Sequence, residues 1–199
     1  MSKYIAQNEA IRLALAKLRK IDWAARCPCL GLVIPENGAM RLRAFGTDLI
    51  LQQTDFELIK ATTGEPARPC DRILVLHYLL CDIPLALTDV LISFRALPGG
   101  QFYWQPFLAR TVKPLVVRIR NDLGLLRTNL QRFDWEEVAL GDFGARIHAL
   151  GKLYVTLVYY RGDDEFPPNA DVLFDACMKH VFVTEDVAVL ASRICLGLL

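Results

Sequence analysis

No stretch of this chain is apolar for long enough to cross a membrane. The longest runs, Ile73–Cys81 broken by His77 and Val187–Leu199 broken by Arg193, fall well short of the roughly 20 residues that a spanning helix needs. The opening residues Met1-Ser2-Lys3-Tyr4-Ile5-Ala6-Gln7-Asn8-Glu9 lack the positive region and apolar stretch of a secretory signal, so a cytoplasmic protein with no membrane partner is expected. An excess of one charge is missing too. With 23 basic residues against 22 acidic, the balance argues against nucleic acid as a partner. Histidine is scarce, at three residues, and no serine or cysteine is placed to be activated by one. Internal repeats and an interdomain linker are absent as well, so residues 1–199 are expected to form one domain.

The composition is otherwise that of a packed protein. Hydrophobic residues make up 53% of the chain and charged residues 23%, which excludes disorder and leaves enough apolar surface for a core without staples. The six cysteines (Cys27, Cys29, Cys70, Cys81, Cys177 and Cys195) are expected to be mostly reduced thiols that pack as small hydrophobes. Charge is segregated along the chain. Residues Arg110–Arg132 carry six basic groups against Asp122 alone, whereas Phe133–Asp186 carry eleven acids against Arg146, Lys152, Arg161 and Lys179. Two solvated faces that complement each other explain this simply, and an anion-binding surface beside an acidic one is the alternative.

Periodicity points to an α+β fold, a mixed but mainly antiparallel sheet packed with helices. Ile11, Ala14, Leu15 and Leu18 form one stripe of a helix over Ile5–Lys20, with Trp23 following as an anchor. Leu30–Ile34, Ala39–Phe45 and Leu49–Thr54 lean towards β structure and are separated by Pro35-Glu36-Asn37-Gly38 and Gly46-Thr47-Asp48, as in a meander. Asp71 suits an N-cap for a buried helix over Asp71–Asp82, stopped by Pro84. Leu91–Phe94, the turn Leu97-Pro98-Gly99-Gly100 and an aromatic cluster follow, opening a helical region that Pro106 and Pro114 should cut into pieces up to Phe133. Leu153–Tyr160 is the strongest strand, and Thr184 is expected to cap the last helix.

Several motifs carry chemistry in fragments. Cys27-Pro28-Cys29 could offer two thiolates to a metal, but a four-ligand site needs a second cluster that the remaining cysteines do not supply. Asp142-Phe143-Gly144 copies a kinase tripeptide without the rest of a kinase, and Leu97-Pro98-Gly99-Gly100 lacks the lysine of a phosphate loop. The densest polar set is Asp163-Asp164-Glu165, with Asp175, His180, Glu185 and Asp186 following. Three consecutive carboxylates repel one another and cannot all aim at one point, so neighbouring donors or a guest must compensate them.

The segment Gly162-Asp163-Asp164-Glu165-Phe166-Pro167-Pro168, running on to Val172-Leu173-Phe174-Asp175 and Thr184-Glu185-Asp186, resembles the prokaryotic family called domain of unknown function 3786. The resemblance extends to Ile73–Leu80, to Ile92–Gly100 and to Gly141-Asp142, covering most of the chain from about Asp71 onward. It implies a protein of anaerobic bacteria or archaea, from a family some of whose members are joined to iron–sulfur-cluster domains of the type found with corrinoid proteins.

Two functional expectations follow. The first is a non-catalytic binding or accessory module for a corrinoid or tetrapyrrole cofactor, or for an iron–sulfur or corrinoid protein partner. In it Arg95, Trp104 and Arg110 would supply an aromatic wall and cations for an anionic ligand, and the ligand-binding rim would include Asp163, Glu165, Asp175 and His180. The second is a metal-dependent enzyme in which Asp163, Glu165 or Asp175 holds a divalent cation and His180 moves a proton.

Overall fold

Alternation decides the first sheet elements. In β1 (Ala39–Ala44) the side chains of Met40, Leu42 and Ala44 are buried while Arg41 and Arg43 face solvent, as expected for a strand with one face on the core. Phe45 and Gly46, both at positive φ, turn the chain directly into β2 (Thr47–Gln52), with Ala44 opposite Thr47. Such a two-residue reversal matches the natural twist of paired strands. The computed structural model describes residues 2–199, with side chains from Glu9 onward.

The remaining strands are β3 (Leu58–Lys60), β4 (Leu91–Ser93), β5 (Trp135–Val138), β6 (Phe143–Leu150), β7 (Leu153–Tyr160) and β8 (Asn169–Asp175). They form one antiparallel sheet in the order β3-β2-β1-β6-β7-β8-β4. The sheet branches at β6. One edge of β6 pairs with β7, and the other is shared between β5, along Gly144–Ile147, and β1, at Leu150. One face of the central strands is closed by Ala145, Ile147, Val155, Leu157, Tyr159, Val172 and Phe174, all buried.

The helices are α1 (Ser2–Leu18), α2 (Trp23–Leu30), α3 (Pro69–Leu79), α4 (Trp104–Arg110), α5 (Val112–Ile119), α6 (Leu123–Leu130), α7 (Met178–Val181) and α8 (Thr184–Gly197), with a 3-10 turn at Phe94–Ala96. The fold is therefore α+β, one domain around one core. α5 lies against β8, and α8 packs on α3, α4 and α5. Two polar links cross the α3–α8 contact. The Arg193 Nε donates to Asp71 Oδ1 at 2.8 Å with both side chains nearly buried, and His77 Nδ1 lies 2.8 Å from Asp186 Oδ2. Among the described residues no helix is long and apolar enough to cross a membrane.

Several local expectations need correction. Leu30 closes a helix instead of opening a strand, because Asp22 accepts from the N–H groups of Ala24 and Ala25 and so caps α2, with Trp23 as its first residue. Asp71 is not an N-cap. It sits in the first turn of α3, behind Arg68 and Pro69, where its carboxylate meets Arg193. The helical region does run in pieces, as expected, and Pro106 and Pro114 mark the starts of two of them, α4 and α5. Each lies in the first turn of its helix, α4 or α5, where the missing N–H has no intrahelical acceptor to lose. Asp175 is the last residue of β8. Thr184 is the first residue of α8 and not its cap, since its hydroxyl donates to Pro98 O at 2.6 Å.

Candidate functional site

The aromatic cluster near residue 100 leaves two large rings, Phe102 and Tyr103, in solvent. After β4 the 3-10 turn is followed by a tight reversal, in which Gly100 N donates to Leu97 O and Phe102 N to Gly99 O. Only glycine fits at position 100, because a Cβ there would run into the carbonyl oxygen of Phe94. The Thr184 hydroxyl holds Pro98 from the start of α8, which fixes this reversal against the helix layer.

A stack of rings grows from that frame. Phe94 and Phe107, both buried, lie parallel at 4.1 Å between centroids, and Trp104 continues the stack on Phe107 at 5.6 Å. The Arg95 guanidinium caps the Trp104 ring at 4.5 Å. Beside the stack is a cleft of about 260 Å³ lined by Phe94, Tyr103, Phe107, Arg110, Thr184 and Glu185, among others. Arg110 and Glu185 stand 3.8 Å apart at this cleft and are both largely exposed, so their attraction is weak and either can turn to a ligand. Around it Phe102 is 89% exposed, Tyr103 60% and Val183 67%. Exposed rings next to a cleft with a cation are a recognisable binding surface.

Arg95, Trp104 and Arg110 are thus brought to one corner, although in different roles from those expected. Trp104 is not an open wall, because it is half-buried, stacked on Phe107 and with the Arg95 guanidinium over its ring. Of the aromatic residues that line the cleft, Phe94 and Phe107 are buried and Tyr103 is exposed, and of the three expected residues Arg110 alone lines it. Sequence reasoning missed Phe102, Tyr103 and Val183 as surface residues. Aromatic density usually signals core, and the one available hint was the Pro98-Gly99-Gly100 turn directly before them.

The acidic set does not converge. Asp163 and Glu165 lie in the β7–β8 turn, whereas Asp175 ends β8, seven residues long, so at about 3.3 Å per residue roughly 20 Å of strand separates them. Asp163 Oδ1 accepts from Glu165 N at 2.9 Å and Phe166 N at 2.8 Å, and these bonds hold its pKa below the usual aspartate value. The turn is also tied from outside: the Asn121 side-chain amide donates to Gly162 O at 2.9 Å and accepts from Gly162 N at 2.8 Å. Glu165 is exposed. Asp175 accepts from Thr88 N, Thr88 Oγ1, Asp89 N and Cys177 N, at 2.8–3.1 Å. Burial works against its ionisation, but the bonds from Cys177 and Thr88 outweigh it and leave the pKa lowered. Its carboxylate anchors the segment before β4. His180 is exposed on α7.

Among the described residues no three His, Cys, Asp or Glu side chains cluster so as to hold a metal ion. Cys27 is buried and Cys29 half-buried on α2, two positions apart, so that their side chains point about 200° apart around the helix. All six cysteines are free thiols, and burial pushes the Cys27 thiol up. A further cavity, of about 280 Å³, opens on the other face of the sheet, where the Arg146 guanidinium lies 3.8 Å over Tyr154 and pairs with Glu136 at 2.7 Å.

A family model described as "Domain of unknown function (DUF3786)" matches residues 22–196. The chain belongs to this family. The match begins well before Asp71, so the β1–β3 meander and α2 of this DUF3786 protein are part of the family's domain as much as the central sheet is. No curated protein and no solved structure gives a significant match to the chain.

Proposed function

We propose that this DUF3786 protein is a non-catalytic binding module of the cytoplasm whose aromatic corner docks a cofactor-carrying partner, an iron–sulfur or corrinoid protein of anaerobic metabolism. The observation that supports the reading is the exposure of Phe102, Tyr103 and Val183 around a cleft that Arg110 also lines. Large rings kept in water without internal partners gain most from being covered, and a flanking arginine adds charge-assisted contacts to an acidic rim.

The corner does not fit an enclosed corrinoid or tetrapyrrole. Its cleft of about 260 Å³ lies below the roughly 300–1,000 Å³ of sites that enclose a drug-sized ligand, and its lining includes no histidine or cysteine. Cluster ligation by this chain is equally unsupported, since the described residues include no cysteine cluster. The reading is therefore surface recognition of a partner, or of the edge of its cofactor.

Calorimetric titration with aquocobalamin, haemin, a corrinoid protein and a ferredoxin tests this. Heat is expected with at least one of the two proteins, and it is expected to vanish in Phe102→Ala/Tyr103→Ala while folding stability stays within about 0.5 kcal/mol. Absence of heat with all four, from protein that melts cooperatively, sinks the reading.

A further inference from the structure

Arg120 adopts φ 52 and ψ −122, directly after the last residue of α5. These angles are close to the first corner of a type II′ turn, about +60 and −120, a position dominated by glycine because a Cβ is strained there. The turn Ile119–Asp122 is closed by Asp122 N donating to Ile119 O at 2.9 Å. Its surroundings hold it firmly. The buried Tyr159 hydroxyl donates to Arg120 O at 2.7 Å, Asn121 pairs with Gly162 through both amide atoms, and Asp122 caps α6 through Leu125 N.

All of those fixings engage the backbone of Arg120 or its neighbours. The Arg120 guanidinium itself is exposed and makes no hydrogen bond or ion pair with any described residue, and the same holds for Arg118. Phe45 and Phe56 also stand at positive φ, but each buries its ring in the core, which offsets the strain. At Arg120 the backbone is held by its neighbours, but the side chain itself contributes nothing inside the described chain to offset the strain. A side chain retained at a glycine position against strain, and unused by the fold, points outward to a ligand.

The ground around it suits one. Arg118 and Arg120 line an open cavity of about 570 Å³ together with Val117, Asn121, Asp122, Leu125 and others. Two acidic features lie nearby, and each has a carboxylate already turned into backbone N–H groups, Asp122 towards Leu125 and Asp163 towards Glu165 and Phe166. Asp164 and Glu165 stay in solvent on the same turn. Two uncommitted guanidinium forks beside an apolar wall match a planar or tetrahedral oxyanion carried by an apolar group.

We propose that Arg118 and Arg120 form an oxyanion-binding subsite, separate from the aromatic corner, for the phosphate or carboxylate of a small ligand whose apolar part rests on Val117 and Leu125.

The test combines melting with titration of phenyl phosphate and benzoate, followed by amide NMR signals of Asn121 and Leu125. The wild type is expected to bind one or both probes; phenyl phosphate alone assigns a phosphomonoester and benzoate alone a carboxylate. Arg120→Gly is expected to raise the melting temperature by about 2–6 °C, because the strain is relieved, and to weaken binding about 10-fold through loss of a charge-assisted contact. Arg118→Ala, which leaves the turn intact, is expected to weaken binding by about the same factor. An unchanged or lower melting temperature in Arg120→Gly overturns the strain argument, and binding that is absent in the wild type or equal in all three proteins overturns the subsite.

Discussion

The β7–β8 turn and the corner after β4 invite opposite readings from their residues, and the fold reverses both. Asp163-Asp164-Glu165 looks like a ligand set, yet Asp163 is spent on its own backbone N–H groups and Asn121 stitches the turn to the end of α5. Phe102-Tyr103-Trp104 looks like core, yet Phe102 stands 89% exposed and Tyr103 60%, while Phe94 and Phe107 fill the interior. Polarity marks a binding site only where its hydrogen-bonding capacity is left over, and aromatic density marks a core only where the backbone turns the rings inward.

That contrast can be broken most forcefully at Phe107. Replacing it by alanine removes a buried ring stacked on both sides and is expected to cost about 3–5 kcal/mol, read from urea unfolding. An effect below 1 kcal/mol would mean that the stack is not the frame of the corner. Asp175→Ala comes next. It leaves the N–H groups of Thr88, Asp89 and Cys177 without their acceptor, the last of them buried, and a loss of about 2 kcal/mol, or roughly 4–8 °C, is expected.

The same residue gives the contrast a pH signature. Because the folded-state pKa of Asp175 lies below the ordinary value of 3.8, its contribution is fully present above that value and is lost as pH falls through the lower, folded one. Unfolding measured at descending pH should therefore show the wild type losing its advantage over Asp175→Asn only in the acid range, below about pH 4. A constant gap down to pH 2 would contradict the assignment. The smallest effect is expected from Asp163→Ala, which releases two N–H groups that water can reach. A slight drop in melting temperature with unaltered heat of partner binding fits an architectural turn. Abolished binding with unaltered melting would return the acidic turn to the status of a site.

Much of the architecture was legible from local pattern. The Leu153–Tyr160 strand is dictated by an uninterrupted β-branched and aromatic run, and the Ala39–Ala44 strand by strict alternation of apolar residues with arginine. β6 and β8 escaped because their signals are weak. Phe143–Leu150 interleaves glycine, alanine, arginine and histidine, and Asn169–Asp175 is bracketed by polar ends, so both become strands by pairing with β7. The prolines announced a broken helical region but not where each break falls. Their effect depends on whether a helix starts nearby, and Thr111, between α4 and α5, shows that by its irregular backbone instead of by its identity. The candidate site was legible only as a neighbourhood: Arg95 meets Trp104, which stacks on Phe107 beside the cleft that Arg110 lines, whereas which ring is covered and which is left in water was not legible.

By itself the sequence determined the class of fold, the strongest strand, the buried helices and the family, because these follow from hydrophobic period and motif order, which are local properties of the chain. The tertiary structure alone decided which polar groups are satisfied and which are spare. Arg118 differs from Arg127, another helical arginine, which pairs with Glu137 at 2.6 Å, in what the fold places within reach. Whether a charge is satisfied depends on groups distant along the chain and a few ångströms away in space, and no local pattern encodes that distance.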